Sequence, residues 1–196
     1  MTNICLFGGA FDPVHKGHLH FAEKITALYQ PDVFFFIPTR YSPFKGTQKF
    51  ASDSHRLNML EAVTHRIPHA KVSRIEIERE GISYSLDTLK FFQACYPGHR
   101  LFWVIGEDHL PLLDTWKGYP EHFSYCDFII LPRQFDPETN DRIAAHAYRE
   151  QLHLLSCEAI PVSSTGIRAA IAEGRSILSY VPKEINDYIH ANKLYR

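Results

Sequence analysis

Two histidines, His15 and His18, stand three residues apart, just after an apolar run that ends in paired glycines. The run at residues 4–7, bounded by Gly8 and Gly9, predicts a short buried strand, and the glycines let the backbone come close to a ligand. Apolar residues at spacings of three and four after His18 predict a helix. The N-terminus of a helix suits a phosphate, and histidines three apart on its first turn can face one anion.

Each part of this string also has a simpler explanation. A Gly-Gly pair after a strand is commonly only a turn, and two histidines at this spacing occur on surfaces or, with a third ligand, at metal sites. The whole string Gly-Gly-Ala-Phe-Asp-Pro-Val-His-Lys-Gly-His is much less expected by chance than any of its pieces. We therefore interpret it as a phosphate-binding unit of strand, turn and helix.

The same string resembles the signature of the nucleotidyltransferase superfamily that also includes the class I aminoacyl-tRNA synthetases. Within that superfamily the chain is most similar to the bacterial nicotinate mononucleotide adenylyltransferases, from about residue 3 to the C-terminus. The resemblance implies an α/β fold, a Rossmann-like parallel sheet flanked by helices. It also implies adenylyl transfer from ATP.

The composition fits one globular domain. The chain has 196 residues, of which 45% are hydrophobic and 22% are charged, and its formal net charge is −1. This balance offers no general attraction for nucleic acid or for an anionic membrane, so an anion site has to be built locally. We expect residues 1–196 to form a single domain, in which residues 160–196 are a small helical C-terminal subdomain.

Hydropathy and cysteine spacing bear on location. The sequence contains no run of 18 apolar residues, so no membrane-spanning helix is predicted. The four cysteines are widely separated and form no Cys-x-x-Cys pair: Cys5, Cys95, Cys126 and Cys157. Reduced thiols in a cytoplasmic protein are the simpler interpretation.

Apolar runs alternate with helical patterns along the chain, which favours a parallel sheet with helical crossovers. Strands are predicted at residues 32–38, 101–105 and 128–131, with a weaker strand at 70–77 and an edge strand at 153–155. Helices are predicted at 52–65, after Ser85, at 139–150, from Ser163 and after Pro182. We expect the charged residues 76 and 78–80 to be exposed. In such sheets ligands sit at the carboxyl ends of the strands.

Two basic residues are candidate phosphate contacts, although each could be an ordinary surface charge. Lys45 follows the second strand, and the family carries a Pro-Pro-His-Lys stretch there; this chain keeps the lysine but has Phe44 in place of the histidine. Arg168 lies one turn into a helix that opens with three capping residues, Ser163, Ser164 and Thr165. This string resembles the second signature of the adenylyltransferases.

A third set of residues resembles the pyridine pocket of the family. Ser83-Tyr84-Ser85 matches its Ser-Tyr-Thr stretch, in which the third residue offers a backbone amide to the nicotinate carboxylate; a plain helix cap is the alternative. Trp116, followed by Lys117, matches a tryptophan on which the pyridine ring stacks, although a lone tryptophan is usually core.

The strand at residues 101–105 ends in a Gly-x-Asp pattern, Gly106-Glu107-Asp108, that the family shares, with Glu107 an unusual middle residue. Asp108 could accept hydrogen bonds from ribose hydroxyls or bind a hydrated metal ion. Arg133, after the strand at 128–131, is a weaker candidate.

The resemblance thus implies transfer from ATP to nicotinate mononucleotide, with Mg²⁺ entering as the ATP complex and no metal site of the protein. The expected catalytic residues are His15, His18, Lys45 and Arg168. The expected ATP-binding residues are Gly8, Gly9, Ala10, Phe11, His15, His18, Gly106, Asp108, Ser163, Ser164, Thr165 and Arg168, and those for the mononucleotide are Ser83, Ser85, Trp116, Lys117 and Lys45.

Several alternatives stay open. The acceptor could be nicotinamide mononucleotide or phosphopantetheine, and the chain could be a nucleotide-binding module without catalysis. A Rossmann dehydrogenase is disfavoured because no Gly-x-Gly-x-x-Gly follows the first strand. The expected partners are the two small-molecule substrates, without nucleic acid or membrane, and homodimer formation is left open.

Overall fold

A computed structural model describes residues 2–43, 51–133 and 138–196. Lys45 and Phe44 lie outside the described residues. Within these ranges, the strands of the chain form one six-stranded sheet in which every neighbouring pair is parallel. The strands are β1 Asn3–Gly9, β2 Val33–Pro38, β3 Ala70–Val72, β4 Arg100–Gly106, β5 Cys126–Leu131 and β6 Leu152–Leu154.

The spatial order of the strands is β3-β2-β1-β4-β5-β6. The chain therefore builds outward from β1 through β2 and β3, returns to the centre, and builds outward on the other side through β4, β5 and β6. This reversal between β1 and β4 is where open α/β sheets bind their ligands, outside the carboxyl ends of the strands. The predicted Rossmann-like parallel sheet is confirmed.

Helices connect the strands and cover both faces of the sheet. They are α1 Lys16–Tyr29, α2 Asp53–Thr64, α3 Ile75–Glu78, α4 Ser85–Cys95, α5 Thr139–Ala145, α6 Ser164–Ala172 and α7 Lys183–Ala191, with short 3-10 helices at Glu107–Thr115, Glu121–Ser124 and Arg149–Gln151. The predicted caps Ser52 and Ser163 each accept a hydrogen bond from the third residue of their helices. By Kyte–Doolittle hydropathy, none of the described helices is long and apolar enough to cross a membrane.

The apolar runs of the strands serve two cores because successive side chains point to opposite faces of the sheet. Cys5, Phe7 and the residues 34 and 36 of β2 pack on one face, under α1, α2, α6 and α7. Ile4, Leu6 and the residues 35 and 37 pack on the other face, mainly against α4 and the 3-10 helix that follows β4. A strand with both faces covered is expected to be apolar throughout.

Residues 160–196 contribute α6 and α7 to the first of these cores. Ile167, Ile177, Ile185, Ile189 and Leu194 are buried in it together with side chains of β1 and β2. The Lys16 ammonium donates to the main-chain carbonyls of residues 178 and 179, at 3.0 and 3.1 Å. The C-terminal helices are thereby tied to the first turn of α1.

The sequence prediction was wrong in the stretch after residue 72. The predicted strand 70–77 is strand only over Ala70–Val72, and one turn of helix, α3, follows. Glu76 lies on that turn and is buried rather than exposed. The alternation of apolar residues 72, 75 and 77 misled the prediction because a single helical turn between two loops has no periodicity of its own.

Candidate active site

Glycines at the carboxyl ends of β1 and β4 are required by close packing. A Cβ atom on Gly8 would lie 3.1 Å from the Trp103 ring, and a Cβ atom on Gly9 would lie 3.1 Å from the Phe11 ring. A Cβ atom on Gly106 would lie 2.4 Å from the Asp108 carboxylate. Side chains here would displace aromatic rings of the core or the carboxylate that follows β4.

The two histidines cap α1 reciprocally. His15 is the N-cap residue, and its Nδ1 accepts the main-chain N–H of His18 at 3.4 Å. The Nδ1 of His18 in turn accepts the main-chain N–H of His15 at 3.2 Å. The rings stack with centroids 3.6 Å apart and an interplanar angle of 21°. This is the capping-box arrangement with imidazoles in place of the usual hydroxyl and carboxylate.

The capping contacts fix the chemistry of both rings. A nitrogen that accepts a main-chain N–H carries no proton, so each neutral ring has its proton on Nε2 and presents it as a donor. Burial lowers the pKa of His15 from 6.5 to about 4, and the positive charge of Arg133 acts in the same direction. His15 is therefore a neutral N–H donor at pH 7, and its contribution to anion binding is a hydrogen bond rather than a charge.

Gly17 makes the ring stack possible. A Cβ atom there would lie 2.9 Å from Val162 and 3.1 Å from the His15 ring. The glycine between the histidines thus admits both the His15 ring and the segment that leads into α6. The spacing His-x-Gly-His is a packing requirement as well as a pattern of donors.

The second signature comes to the same place. The Arg168 guanidinium donates to the main-chain carbonyl of Asp12 at 2.7 Å and to the Thr165 hydroxyl at 3.2 Å. The Ser164 hydroxyl donates to the carbonyl of Pro13 at 2.9 Å. The start of α6 is therefore fixed to the loop between β1 and α1, about 150 residues away in sequence.

The same loop rests on a buried arginine. The Arg56 guanidinium donates to the carbonyl of Ala10 at 2.6 Å and pairs with Asp53. Phe11 has a positive φ of 49°, and its ring is buried between Phe7, His18 and Phe36. Any contact of Phe11 with a nucleotide would have to come from its main chain.

Charged residues follow β4 and β5 side by side. The Arg133 Nε lies 3.1 Å from the Asp108 carboxylate, and Glu107 accepts the main-chain N–H of Arg133 at 2.7 Å. Glu107, the unusual residue of the sequence pattern, thus ties the end of β4 to the end of β5. Because Arg133 lowers the pKa of His15, its charge acts at the histidine pair as well.

The residues predicted to hold a pyridine form a second group. The Ser83 hydroxyl accepts the main-chain N–H of Arg40 at 3.2 Å, and the N–H of Ser83 donates to the carbonyl of Tyr41 at 2.9 Å. The Lys117 ammonium lies 4.0 Å from the centre of the Tyr84 ring. These contacts join the loop after β2, the start of α4 and the segment around Trp116.

Ser85 has a partner that the sequence did not indicate. Its hydroxyl lies 3.0 Å from Nε2 of His122, a fully buried residue whose ring centroid is 5.7 Å from that of Trp116. Burial lowers the pKa of His122, so the ring is held neutral. Ser85 is the first residue of α4 rather than its cap; Tyr84 stands at the cap position without a side-chain cap bond.

Glu76 belongs to the same group. Its carboxylate accepts the Thr88 hydroxyl at 2.8 Å, and Thr88 also accepts from the Arg79 guanidinium at 3.1 Å. Burial raises the pKa of Glu76. A charged residue in a polar stretch gives no local sign of burial, and only the fold of α3 against α4 creates it.

In the described part of the chain, no group of three or more His, Cys, Asp or Glu side chains is placed to hold a metal ion.

The structure brings the predicted residues into two groups at the carboxyl ends of the strands. One contains His15, His18, Ser163–Thr165 and Arg168; the other contains Ser83, Ser85, Trp116 and Lys117. Gly106 is the last residue of β4, the strand between β1 and β5, and Asp108 lies in the 3-10 helix that follows it.

The chain is similar to known proteins over most of its length. Residues 6–170 match the model of the cytidylyltransferase-like family. Fold, site and family model together define a nucleotidyltransferase of the cytidylyltransferase-like class.

A probable nicotinate-nucleotide adenylyltransferase from Nostoc sp. is 33% identical over 206 residues, covering 100% of this chain and 98% of that protein. One from Trichormus variabilis is 32% identical with the same coverage. The chain belongs to the nicotinate-nucleotide adenylyltransferase family.

Solved structures show the same fold. The Plasmodium falciparum nicotinic acid mononucleotide adenylyltransferase complexed with NaAD has a TM-score of 0.77 and 21% identity, covering 100% of this chain and 98% of that one. A putative nicotinate-nucleotide adenylyltransferase from Vibrio parahaemolyticus has a TM-score of 0.71 and 19% identity, covering 100% and 96%.

Proposed function

We propose that this chain transfers the adenylyl group of ATP to nicotinate mononucleotide, which gives deamido-NAD and pyrophosphate. The observation that carries the proposal is the stacked pair of histidines at the N-terminus of α1, with Arg168 anchored on the same loop. Hydrogen-bond donors, a helix N-terminus and a cation meet at the carboxyl edge between β1 and β4, where α/β sheets bind nucleotides.

The reaction needs no protein nucleophile. A 5′-phosphate oxygen of the mononucleotide attacks the α-phosphorus of ATP, and the bond from that phosphorus to the bridging oxygen breaks. Pyrophosphate leaves with the electron pair. Catalysis then consists of positioning the reactants and of stabilising charge on the transferring and leaving oxygens.

The first group of residues takes the triphosphate. His15 and His18 donate from Nε2, the start of α6 at Ser163–Thr165 offers main-chain N–H groups, and Arg168 supplies a positive charge. Lys45 is proposed as a second cation. Mg²⁺ enters with ATP as part of the substrate and keeps most of its waters.

The residues at the carboxyl ends of β1 and β4 are proposed to contact the nucleotide. Gly8 and Gly9, with the main chain of Ala10 and Phe11, let it lie close to β1. Gly106 and Asp108 take the ribose, whose hydroxyls can donate to the carboxylate.

The second group takes the acceptor. The main-chain N–H groups at the start of α4, at Ser85, suit a carboxylate because a carboxylate only accepts hydrogen bonds. Trp116 offers a face for the pyridine ring, Ser83 holds the loop beside it, and Lys117 adds positive charge. Residues 160–196 are proposed to act as a helical subdomain that delivers Arg168 to the loop after β1.

The deciding experiment is pyrophosphate release by the purified chain with ATP, Mg²⁺ and a panel of acceptors. Nicotinate mononucleotide should be the best substrate, ahead of nicotinamide mononucleotide, and phosphopantetheine should be inactive. Binding of ATP without pyrophosphate release for any acceptor would favour a nucleotide-binding module instead. Release with phosphopantetheine alone would overturn the choice of acceptor.

A further inference from the structure

The C-terminal tail ends at the active-site loop. Tyr195, the penultimate residue, donates its hydroxyl to the Asp12 carboxylate at 2.7 Å, across 183 positions of sequence. The tail is anchored for this contact by Leu194, which is buried in the first core. A hydroxyl that donates to a buried carboxylate is firmly oriented because both groups have lost water.

Asp12 joins four segments of the chain. Its carboxylate also accepts the main-chain N–H of Ala51 at 3.2 Å, just before α2. Its main-chain carbonyl accepts the Arg168 guanidinium at 2.7 Å. The residue itself lies between β1 and α1 and is buried. Whatever holds the Asp12 side chain therefore also fixes the carbonyl on which Arg168 rests.

We propose that Tyr195 is a positioning residue for the adenylyl transfer, which acts through Asp12 to hold the Arg168 guanidinium in place. The inference rests on the function proposed above, in which Arg168 neutralises phosphate charge. The C-terminal tail then contributes to catalysis through Asp12 and Arg168.

Phosphate binding by a guanidinium depends on angle as well as on distance. A guanidinium recognises phosphate through a planar fork of N–H donors, so a small rotation of the fork misdirects more than one hydrogen bond. Losing the phenol hydroxyl releases the Asp12 carboxylate from one of its donors, and the loop can then settle differently. Misplacement of a binding group by about 1 Å can cost two orders of magnitude in rate.

The protonation state of Tyr195 agrees with this role. Burial and the neighbouring Asp12 carboxylate raise the pKa of Tyr195, so its hydroxyl keeps the proton that it donates. The positive charges of Arg168 and Arg56 act in the opposite direction but are smaller causes. The contact is therefore present throughout the neutral pH range.

The tail offers a matched control. The hydroxyl of Tyr188, on α7, accepts a hydrogen bond from the Asn58 side-chain amide at 2.9 Å and lies 2.9 Å from Nδ1 of His55, and both partners are on α2. Removing that hydroxyl loosens the docking of α7 on α2 without touching the loop after β1. Tyr188→Phe therefore has the stability cost of a lost tyrosine hydroxyl but not the proposed catalytic cost.

The experiment compares Tyr195→Phe with Tyr188→Phe in the full chain. We expect kcat/KM for ATP to fall about tenfold in Tyr195→Phe, which corresponds to about 1.4 kcal/mol. Tyr188→Phe should retain the parent value within a factor of two, while the melting temperatures of the two variants stay similar. Equal kcat/KM in the two variants, or equal losses, would overturn the proposal.

A double-mutant cycle tests whether Tyr195 acts through Arg168. If it does, Tyr195→Phe should have little further effect on kcat in an Arg168→Lys background, because the fork that it positions has already been replaced. Full additivity of the two changes would contradict this route and leave a general structural role.

Failure of the proposed function would look different. In that case the parent chain would not release pyrophosphate from ATP and nicotinate mononucleotide, whatever stands at position 195. The tail proposal would then be judged from ATP affinity measured by calorimetry, where Tyr195→Phe should weaken binding and Tyr188→Phe should not. Unchanged ATP affinity in both variants would overturn it.

Discussion

The sheet holds its polar side chains differently where its strands begin, here called the amino edge, and where they end, the carboxyl edge. At the amino edge, Asp127 of β5 accepts from the Arg100 guanidinium and from Nε2 of His153, the latter at 2.9 Å. Charged side chains there pair with each other. At the carboxyl edge Arg133 pairs with Asp108, but His15, His18 and Arg168 are oriented largely by main-chain atoms of the loop and the first turn.

This difference indicates that the amino-edge residues stabilise the fold and that the carboxyl-edge residues remain able to bind a ligand. A side-chain ion pair satisfies both charges, so the amino-edge cluster ties β4, β5 and β6 together and has little left to offer a ligand. A main-chain contact orients a side chain without cancelling its charge or removing its remaining donors. The comparison predicts that changes at the carboxyl edge alter activity and that changes at the amino edge alter stability.

The largest effect is expected for His18→Ala. The imidazole is proposed to donate to charge that grows in the transition state, and loss of such a donor costs about 2.7–4 kcal/mol, or roughly 10²–10³ in kcat. Loss of the capping contact should cost only about 1 kcal/mol of stability. Steady-state kinetics and denaturant unfolding measure the two effects. Parent-like turnover by the variant would contradict the phosphate role.

The second prediction concerns pH and His15. Burial lowers the pKa of His15 to about 4 in the folded chain, below its ordinary 6.5. Between these values the unfolded chain binds a proton that the folded chain does not, so stability falls as pH falls from about 6.5 towards 4.

His15→Gln removes this titration. The parent should therefore lose about 2 kcal/mol more unfolding free energy than the variant between pH 7 and pH 5. Urea unfolding at the two pH values gives the comparison. Parallel losses in both proteins would show that His15 is not held neutral by the fold.

The third prediction sharpens the contrast within the carboxyl edge. N–H donors at Ser85 pair with a carboxylate, whereas an amide presents its own NH₂ donors to them, and a poorly paired buried group costs about 1–3 kcal/mol. Nicotinate mononucleotide should exceed nicotinamide mononucleotide at least tenfold in kcat/KM, at about 1.4 kcal/mol per decade. Kinetics at equal ATP and Mg²⁺ decide it, and equal values would refute the pocket assignment.

The smallest effect is expected at the amino edge, for Asp127→Asn. The partners Arg100 and His153 are partly exposed, so water replaces much of what they lose, and the cost should be about 1 kcal/mol of stability. kcat and KM should match those of the parent. A large loss of activity without a loss of stability would break the division between the two edges.

Local patterns in the sequence predicted much of the fold and the first part of the site. Buried strands were recognisable because both faces are covered and the runs are apolar throughout. The caps Ser52 and Ser163 were recognisable because a capping bond spans only three residues. The two family signatures marked the residues proposed to bind phosphate for the same reason, since each signature is a short, contiguous string.

Some residues were misread because their surroundings come from distant parts of the chain. Glu76 looked like one of several exposed charges, yet it is buried against Thr88 of α4. His122 gave no signal at all, although it is the partner of Ser85.

By itself, then, the sequence determined the parallel α/β sheet, the glycine turn, the paired histidines and the capped helix that carries Arg168. Only the tertiary structure decided that His15 is neutral, that the Arg168 guanidinium donates to the carbonyl of Asp12, and that Tyr195 contacts the carboxylate of the same residue. The reason is physical. Strands, caps and turns depend on neighbours a few positions apart, whereas burial and side-chain pairing depend on which segments the fold brings together.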